Sequence, residues 1–306
     1  MDPSLTSRLL AGDKRACARL ISIVENESPG YLDALKTVYP HSGGAYVIGV
    51  TGPPGSGKST LTDKLAKTLA DRGDKIGIIA TDPTSPFTKG AILGDRIRMG
   101  GVSENKNVFI RSMGARCHLG GLSKATANAL VILSAYGCTY IFVETVGVGQ
   151  SEIDIARCAD TTMIVLAPGL GDDIQAIKAG VMEIGDVFAV NKADRDGAER
   201  TMLETKAMLD FKSDWDFKPP VCLTVAETGE GVDTLLSNIV SHRDYLQRSG
   251  KLAEKRKRRK ADQVRDIIRD TLDRRIEELI TSYPDVKDEE NDPYTLAENI
   301  IGRMEF

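Results

Sequence analysis

Between Tyr46 and Gln247 the chain alternates between two hydrophobic periods, and this alternation limits its fold more than any other feature. Short β-rich runs recur as "YVIGV", "KIGIIA", "NVFI", "YIFVET", "TTMIVLA", "DVFAVN" and "VCLTV", with helical periodicity between them. Apolar runs of this length mark strands covered on both faces. Helices between successive strands supply the crossovers that a parallel sheet requires. The expected fold is α/β: a three-layer sandwich around a mainly parallel sheet over residues 46–247.

The flanks read differently. Residues 1–45 predict short helices forming an N-terminal cap. Leu5, Leu9 and Leu10 share one face. Asp13 is placed to cap a helix carrying Ala16, Leu20, Ile23 and Val24, and a third helix holds Leu32, Leu35 and Val38 before Pro40. Residues 248–306 predict a helical extension. It opens on the basic run "KLAEKRKRRKADQ", read as a solvated connector, and continues as an amphipathic helix with Val264, Ile268, Leu272, Ile276 and Ile280 four residues apart. Asp292-Pro293 offers an N-cap and first turn for a last short helix.

The first strand runs directly into "GPPGSGKST", which matches G-x-x-x-x-G-K-[ST] from Gly52 to Ser59 and opens a helix. Gly52, Pro53, Pro54, Gly55, Ser56 and Gly57 form the loop, whose glycines let backbone N–H groups face phosphates. The helix beginning near Lys58, Ser59 and Thr60 turns its positive end toward the same place. Lys58 suits the β- and γ-phosphates, and the Ser59 hydroxyl suits Mg²⁺. The chain therefore has the strand, loop and helix of a P-loop NTPase.

A later strand ends in N-K-x-D, as Asn191, Lys192 and Asp194. An ionised carboxylate only accepts hydrogen bonds, and guanine presents two adjacent donors, at N1 and the 2-amino group. Adenine has neither and would leave the carboxylate unpaired, so GTP/GDP is favoured over adenine nucleotides. Asn191 is suited to pin the loop or touch the guanine, and the Lys192 stem to cover the base. "TVAETGEGV" fits a closing loop that acts through the backbone at Val225 and Ala226.

Three acids could converge on one hard cation. Asp82 ends the second strand, Asp95 lies in "LGDR", and Glu144 ends the run "YIFVE" before "TVGVGQSE". Mg²⁺ takes oxygen ligands and keeps several waters, so Ser59 with one or two of Asp82, Asp95 and Glu144 is enough. Gly147 can donate an N–H to a γ-phosphate, and Gly149 supplies a second hinge. Gln150 is a candidate, by analogy with other GTPases, for orienting the attacking water.

In this order, "GVTGPPGSGKST", "DPTSPFTKGAILGDRIRM", "FIRSMGARCHLGGLS", "ETVGVGQSE" and "NKAD" resemble the methylmalonyl-CoA mutase-associated GTPases of the MeaB or ArgK type. The likeness covers roughly residues 9–247. It implies a homodimer, joined through the C-terminal extension, that binds and slowly hydrolyses GTP. It also implies that the nucleotide state gates loading and protection of an adenosylcobalamin-dependent acyl-CoA mutase. In family terms Asp82, Asp95 and Glu144 match the Mg²⁺ acids, and "GLGDDIQAIKAG" matches a third switch in which Lys178 senses or stabilises nucleotide. Two departures stand out: Cys117 replaces the glycine usual in "RGHLGG", and the C-terminal helix lacks a tryptophan-rich dimer arm.

Composition limits the alternatives. The chain has 306 residues, a net charge of −4 and 27% charged residues, so no global basic field recommends nucleic acid or a membrane as partner. No secretory leader or spanning run is read, and five scattered cysteines suit a reducing cytoplasm. A metallochaperone GTPase would be expected to carry C-x-x-C or histidine-rich tracts, and only Cys117-His118 are adjacent. A small-molecule kinase would use the phosphate loop but has little need of N-K-x-D.

Overall fold

The computed structural model describes residues 3–83, 102, 105–115, 124–145, 151–169, 181–283 and 292–302. Contacts divide the chain into two compact units, Met1–Arg256 and Lys257–Phe306.

The first unit holds a seven-stranded sheet, every pairing of which is parallel. The strands are β1 (Tyr46–Thr51), β2 (Ile76–Pro83), β3 (Val108–Ala115), β4 (Tyr140–Glu144), β5 (Thr161–Leu166), β6 (Val187–Val190) and β7 (Val221–Leu223). Their spatial order is β3-β2-β4-β1-β5-β6-β7. The chain thus starts in the middle of the sheet and winds outward in both directions. Ligands in such sheets bind beyond the carboxyl ends of the strands, near the point where the winding reverses. Here that point lies around β1.

Helices of the first unit cover both faces. In chain order the helices among the described residues are α1 (Pro3–Leu10), α2 (Lys14–Glu25), α3 (Tyr31–Val38), α4 (Lys58–Asp71), α5 (Lys124–Ala135), α6 (Ser151–Cys158), α7 (Val181–Ile184), α8 (Ala198–Asp210) and α9 (Val232–Arg248), then α10 (Lys251–Ser282), which begins in the first unit and runs into the second, and α11 (Pro293–Ile301) in the second. Alternate β1 residues serve opposite layers. Val47 packs with α1–α3, α5 and α6, whereas Tyr46, Ile48 and Val50 pack with α4 and α9. This is the two-residue period of a strand buried on both sides. A third cluster sets α8 against Ile164, Leu166, Phe188 and Val190.

The N-terminal helices share the sheet's core. Asp13 caps α2 as expected, accepting from the N–H groups of Arg15 and Ala16 at 2.8 and 3.2 Å. The face of α3 differs from the expectation. Tyr31, Ala34 and Val38 are buried, and Leu32 is exposed. Lys14 donates to the Val108 carbonyl at 2.6 Å, and Arg111 pairs with Glu25 at 2.5 Å, tying α2 to β3.

The basic run is the start of α10, and its first cations are tied to the fold, a correction to the expected connector, whereas Lys257, Arg258 and Lys260 are exposed as expected. Arg256 pairs with fully buried Asp160 at 2.9 Å and donates to the carbonyls of Gly43 and Ala45. Asp160 also accepts from the Val47 N–H at 2.9 Å. Lys255 reaches the Asp160 carbonyl and the Asp186 carboxylate, and Lys251 pairs with Asp216. An isolated buried carboxylate is expensive, so Asp160 requires Arg256.

Next to this clasp lies His242, 3% exposed. Its Nδ1 is 2.8 Å from the Thr161 hydroxyl, which meets the Tyr46 hydroxyl in turn. Its Nε2 is 3.5 Å from Asp186, and its ring packs on Phe217 and Tyr245. Burial pushes the imidazole below its ordinary value. Asp186 opposes that shift and Lys255 reinforces it.

In the second unit, Asp292 caps α11 by accepting from the N–H groups of Tyr294 and Thr295 at 3.1 and 2.9 Å. Val264, Ile268, Leu272 and Ile276 on α10 are 49%, 55%, 43% and 38% exposed, so the row of apolar residues faces outward.

The His242 environment predicts a pH dependence. Native His242 is neutral where the unfolded imidazole has begun to protonate, so the unfolded chain binds more protons below about pH 6.5. His242 then contributes full stability above that pH and loses it as pH falls toward the depressed native value. Urea unfolding between about pH 5 and 7 should show a slope that His242→Gln reduces by up to about one proton.

Candidate functional site

The site is built where β1 ends. Gly52 follows Thr51 with φ of 140°, and a Cβ there would lie 2.1 Å from the Val165 carbonyl oxygen of β5. Only glycine can turn the chain this close to its neighbouring strand. Gly57 has φ of 91° and is the N-cap of α4, where a Cβ would lie 2.3 Å from Asn191 Nδ2. The loop's two ends are therefore fixed by β5 and by the residue that follows β6.

Lys58 opens α4 and is buried. Its ammonium donates to the carbonyls of Gly52 and Pro53 at 2.8 and 3.1 Å. One turn of helix N-terminus and one buried cation thus face the same loop. Ser59 Oγ donates to Glu144 Oε1 at 2.5 Å, across from the end of β4. Glu144 is 7% exposed. The glutamate side chain spans the gap between β4 and α4. A hydroxyl and a carboxylate meeting in this way form a hard-oxygen set, which fits the modest demand of Mg²⁺ for direct protein ligands.

The main chain of Asp82 lies in β2, paired in register with Gly114, two residues beyond the pairing of Ala80 with Glu144. β2 and β4 are neighbours, so the ends carrying Asp82 and Glu144 adjoin. Asp95, Gly147, Gly149, Gln150, Lys178, Cys117 and His118 lie outside the described residues.

The N-K-x-D segment meets the phosphate loop directly. Asn191, 2% exposed, donates from Nδ2 to the Ser56 carbonyl at 2.8 Å. Its Oδ1 accepts from the Ala226 N–H at 3.0 Å and the Thr224 hydroxyl at 3.3 Å. Lys192, at φ of 58°, donates from Nζ to the Gly55 carbonyl at 2.6 Å. Asn191 therefore pins the loop, and the Lys192 ammonium is turned toward the phosphate loop. Asp194 is exposed beyond them.

The closing segment packs against Asn191. The Val225 N–H donates to the Glu230 carbonyl at 2.9 Å, and the Ala226 N–H is taken by Asn191. Both N–H groups donate within the protein, and through Ala226 the segment holds Asn191 in place.

Sequence reasoning missed the threonines at the strand ends. Thr145 Oγ1 donates to Thr51 Oγ1 at 3.0 Å, and Thr81 Oγ1 donates to the Glu144 carbonyl at 2.7 Å. The available signal was position, since each threonine directly flanks a motif residue. The other buried nucleophiles lie in the cores. Burial pushes the thiols of Cys17 and Cys138 up and keeps them protonated. Among the described residues no group of three or more His, Cys, Asp or Glu side chains could hold a metal ion.

A parallel sheet with Lys58 and Ser59 at the start of α4, behind a glycine-rich loop, defines a P-loop nucleoside triphosphatase. Comparison with known proteins gives the family. The model of the methylmalonyl-CoA mutase-associated GTPase MeaB matches residues 17–280, and the chain belongs to that family. A protein of Pyrococcus horikoshii named as a GTPase is 51% identical over 98% of this chain and 98% of its own length. The GTPase ArgK of Escherichia coli is 34% identical over 84% of this chain and 81% of its own. The mouse mitochondrial methylmalonic aciduria type A homolog is 35% identical over 68% of this chain and 52% of its own. The crystal structure of a LAO/AO transport system kinase superposes with a TM-score of 0.72 at 24% identity, covering 98% of this chain and 96% of its own, and shares the fold. The chain is thus a GTPase that binds guanine nucleotide.

The guanine reading predicts a change of base preference. Replacing Asp194 with Asn sets an amide donor against guanine's 2-amino group, whereas xanthine offers a carbonyl at that position. Asp194→Asn should weaken GTP binding by at least about tenfold and strengthen XTP binding relative to wild type, as read by competition against a fluorescent nucleotide.

Proposed function

We propose that this GTPase gates cofactor loading and protection of an adenosylcobalamin-dependent acyl-CoA mutase of the methylmalonyl-CoA type. The observation that carries the reading is the family match across residues 17–280, supported by a relative named for methylmalonic aciduria. Cobalamin belongs to the partner in this reading, since the chain has no D-x-H-x-x-G sequence.

Nucleotide binding engages groups that the loop now holds to itself. Lys58 exchanges the carbonyls of Gly52 and Pro53 for β- and γ-phosphate oxygens, with the N–H groups of Gly55, Gly57, Lys58, Ser59 and Thr60 facing the same charge. Asn191 keeps the loop registered against the base side, and Asp194 reads the base. Ser59, Asp82 and Glu144, with Asp95, would hold Mg²⁺, whose charge neutralises the phosphate oxygens. Gly147, Gln150 and Lys178 are proposed for γ-phosphate sensing and water positioning. Slow intrinsic turnover follows from positioning without a strong base, and suits a switch that a partner accelerates.

We propose a cytoplasmic homodimer. Its support is the outward-facing row Val264, Ile268, Leu272 and Ile276 on α10, an apolar stripe at helical spacing. Among the described residues no helix is long and apolar enough to cross a membrane.

The gating claim is tested by affinity capture from a cell extract, with the chain loaded with GDP in one arm and a non-hydrolysable GTP analogue in the other. The expected result is enrichment of a cobalamin-dependent mutase subunit that differs between the arms. Enrichment in neither arm contradicts the gating claim and leaves the GTPase assignment intact.

A further inference from the structure

Three strand ends meet at the site, and the backbone ladder between them stops just short of it. The last rung joining β1 to β4 is Val50 with Glu144, and the last joining β2 to β4 is Ala80 with Glu144. The next residues are Thr51, Thr145 and Thr81. Thr51 precedes Gly52, Thr145 follows Glu144, and Thr81 precedes Asp82. Each lies one residue from a part of the site.

Beyond the last rungs, side-chain hydroxyls add links to the remaining backbone bonds. Thr145 Oγ1 donates to Thr51 Oγ1 at 3.0 Å, with both residues almost wholly buried. Thr81 Oγ1 donates to the main-chain carbonyl of Glu144 at 2.7 Å. The Thr145 N–H adds a bond to the Val50 carbonyl at 3.1 Å. A transverse row of hydrogen bonds therefore runs from the residue before Asp82, through Glu144, to the residue before the phosphate loop. The Glu144 carboxylate extends from the middle of that row to Ser59.

We propose that Thr51, Thr81 and Thr145 are positioning residues that set the Glu144 carboxylate and the Asp82 strand end against the phosphate loop for divalent-cation binding. The inference rests on the Mg²⁺ reading above and extends it to residues whose hydroxyls bond to one another and to the Glu144 carbonyl. The physical case rests on stiffness. A glutamate side chain has three rotatable bonds, and its backbone sits where strands diverge into loops. A threonine has a single restricted side-chain torsion and a directed hydroxyl, so it fixes a neighbouring strand end at little entropic cost. If these residues served only to form strands and fill volume, valine would replace them without loss, being β-branched and nearly isosteric.

That contrast supplies the test. Thr81→Val removes the donor to Glu144. Thr51→Val with Thr145→Val removes both hydroxyls of the buried pair, so neither is left unpaired and the fold is preserved. Serine at the same positions restores the hydroxyl. Two readouts are taken on purified full-length protein. One is the Mg²⁺ concentration that half-suppresses release of a fluorescent GDP analogue, which involves no turnover. The other is kcat and KM for GTP at saturating Mg²⁺.

The valine variants should raise the half-effective Mg²⁺ concentration roughly three- to tenfold per lost bond and lower kcat by a similar factor. Binding of GDP without Mg²⁺ and the thermal midpoint should stay near wild type, and the serine variants should behave as wild type. Wild-type Mg²⁺ response in the valine variants overturns the proposal. So does equal loss of Mg²⁺-free GDP binding, or failure of serine to rescue, since each indicates a bulk structural role. A wild-type protein indifferent to Mg²⁺ would instead overturn the cation reading on which the proposal rests.

Discussion

The site depends on one buried side-chain amide. Asn191 donates to the Ser56 carbonyl and accepts from the Ala226 N–H and the Thr224 hydroxyl. It therefore joins the phosphate loop to the segment Thr224–Ala226 across long stretches of sequence. An amide does this with one short side chain because its donor nitrogen and acceptor oxygen are separate atoms that point to different partners. Aspartate would lose the donor to Ser56, and leucine would leave buried polar groups unpaired. Gly57 completes the arrangement, since a Cβ there would lie 2.3 Å from the same amide nitrogen. Lys192, next in sequence, adds a second tie to the Gly55 carbonyl.

The parallel sheet separates two tasks between its edges. At the carboxyl edge, side chains add cross-links to the strand ends: Asn191 after β6, the Thr145–Thr51 pair between β4 and β1, and Thr81 between β2 and β4. Polar cross-links there leave the intervening loops free to carry chemistry. At the amino edge, Asp160, Asp186 and His242 are locked to the start of α10 by Arg256 and Lys255. Those are structural bonds, paired charge by charge because the carboxylate of Asp160 is wholly buried.

Much of this was legible in the residues. The short apolar runs gave all seven strands because a buried parallel strand must be apolar throughout. The phosphate loop was legible because the glycines at 52 and 57 answer steric demands that no other residue meets. N-K-x-D stood out by its position after a strand, and of the two roles open to Asn191 the bond to Ser56 is the one seen. Less legible was anything that depends on which distant group comes near. The acceptors of the Val225 and Ala226 N–H groups, Glu230 and Asn191, are set by the fold. The basic run looked solvated because its partners, Asp160, Asp186 and Asp216, are scattered along the sequence. Leu32 looked buried because helical period alone does not say which of two apolar faces meets the core. The threonines escaped notice because threonine is common in strands, and its hydroxyl gains meaning only from the neighbouring strand end.

The central claim is that Asn191 couples the phosphate loop to the segment Thr224–Ala226 rather than acting as a base contact. Calorimetric titration of wild type and Asn191→Ala with GDP and with inorganic pyrophosphate tests this directly, because pyrophosphate has no base. The account predicts that the substitution weakens both ligands, each by at least about fivefold, since the phosphate loop loses its tie at Ser56. Weaker GDP binding with unchanged pyrophosphate binding would contradict it.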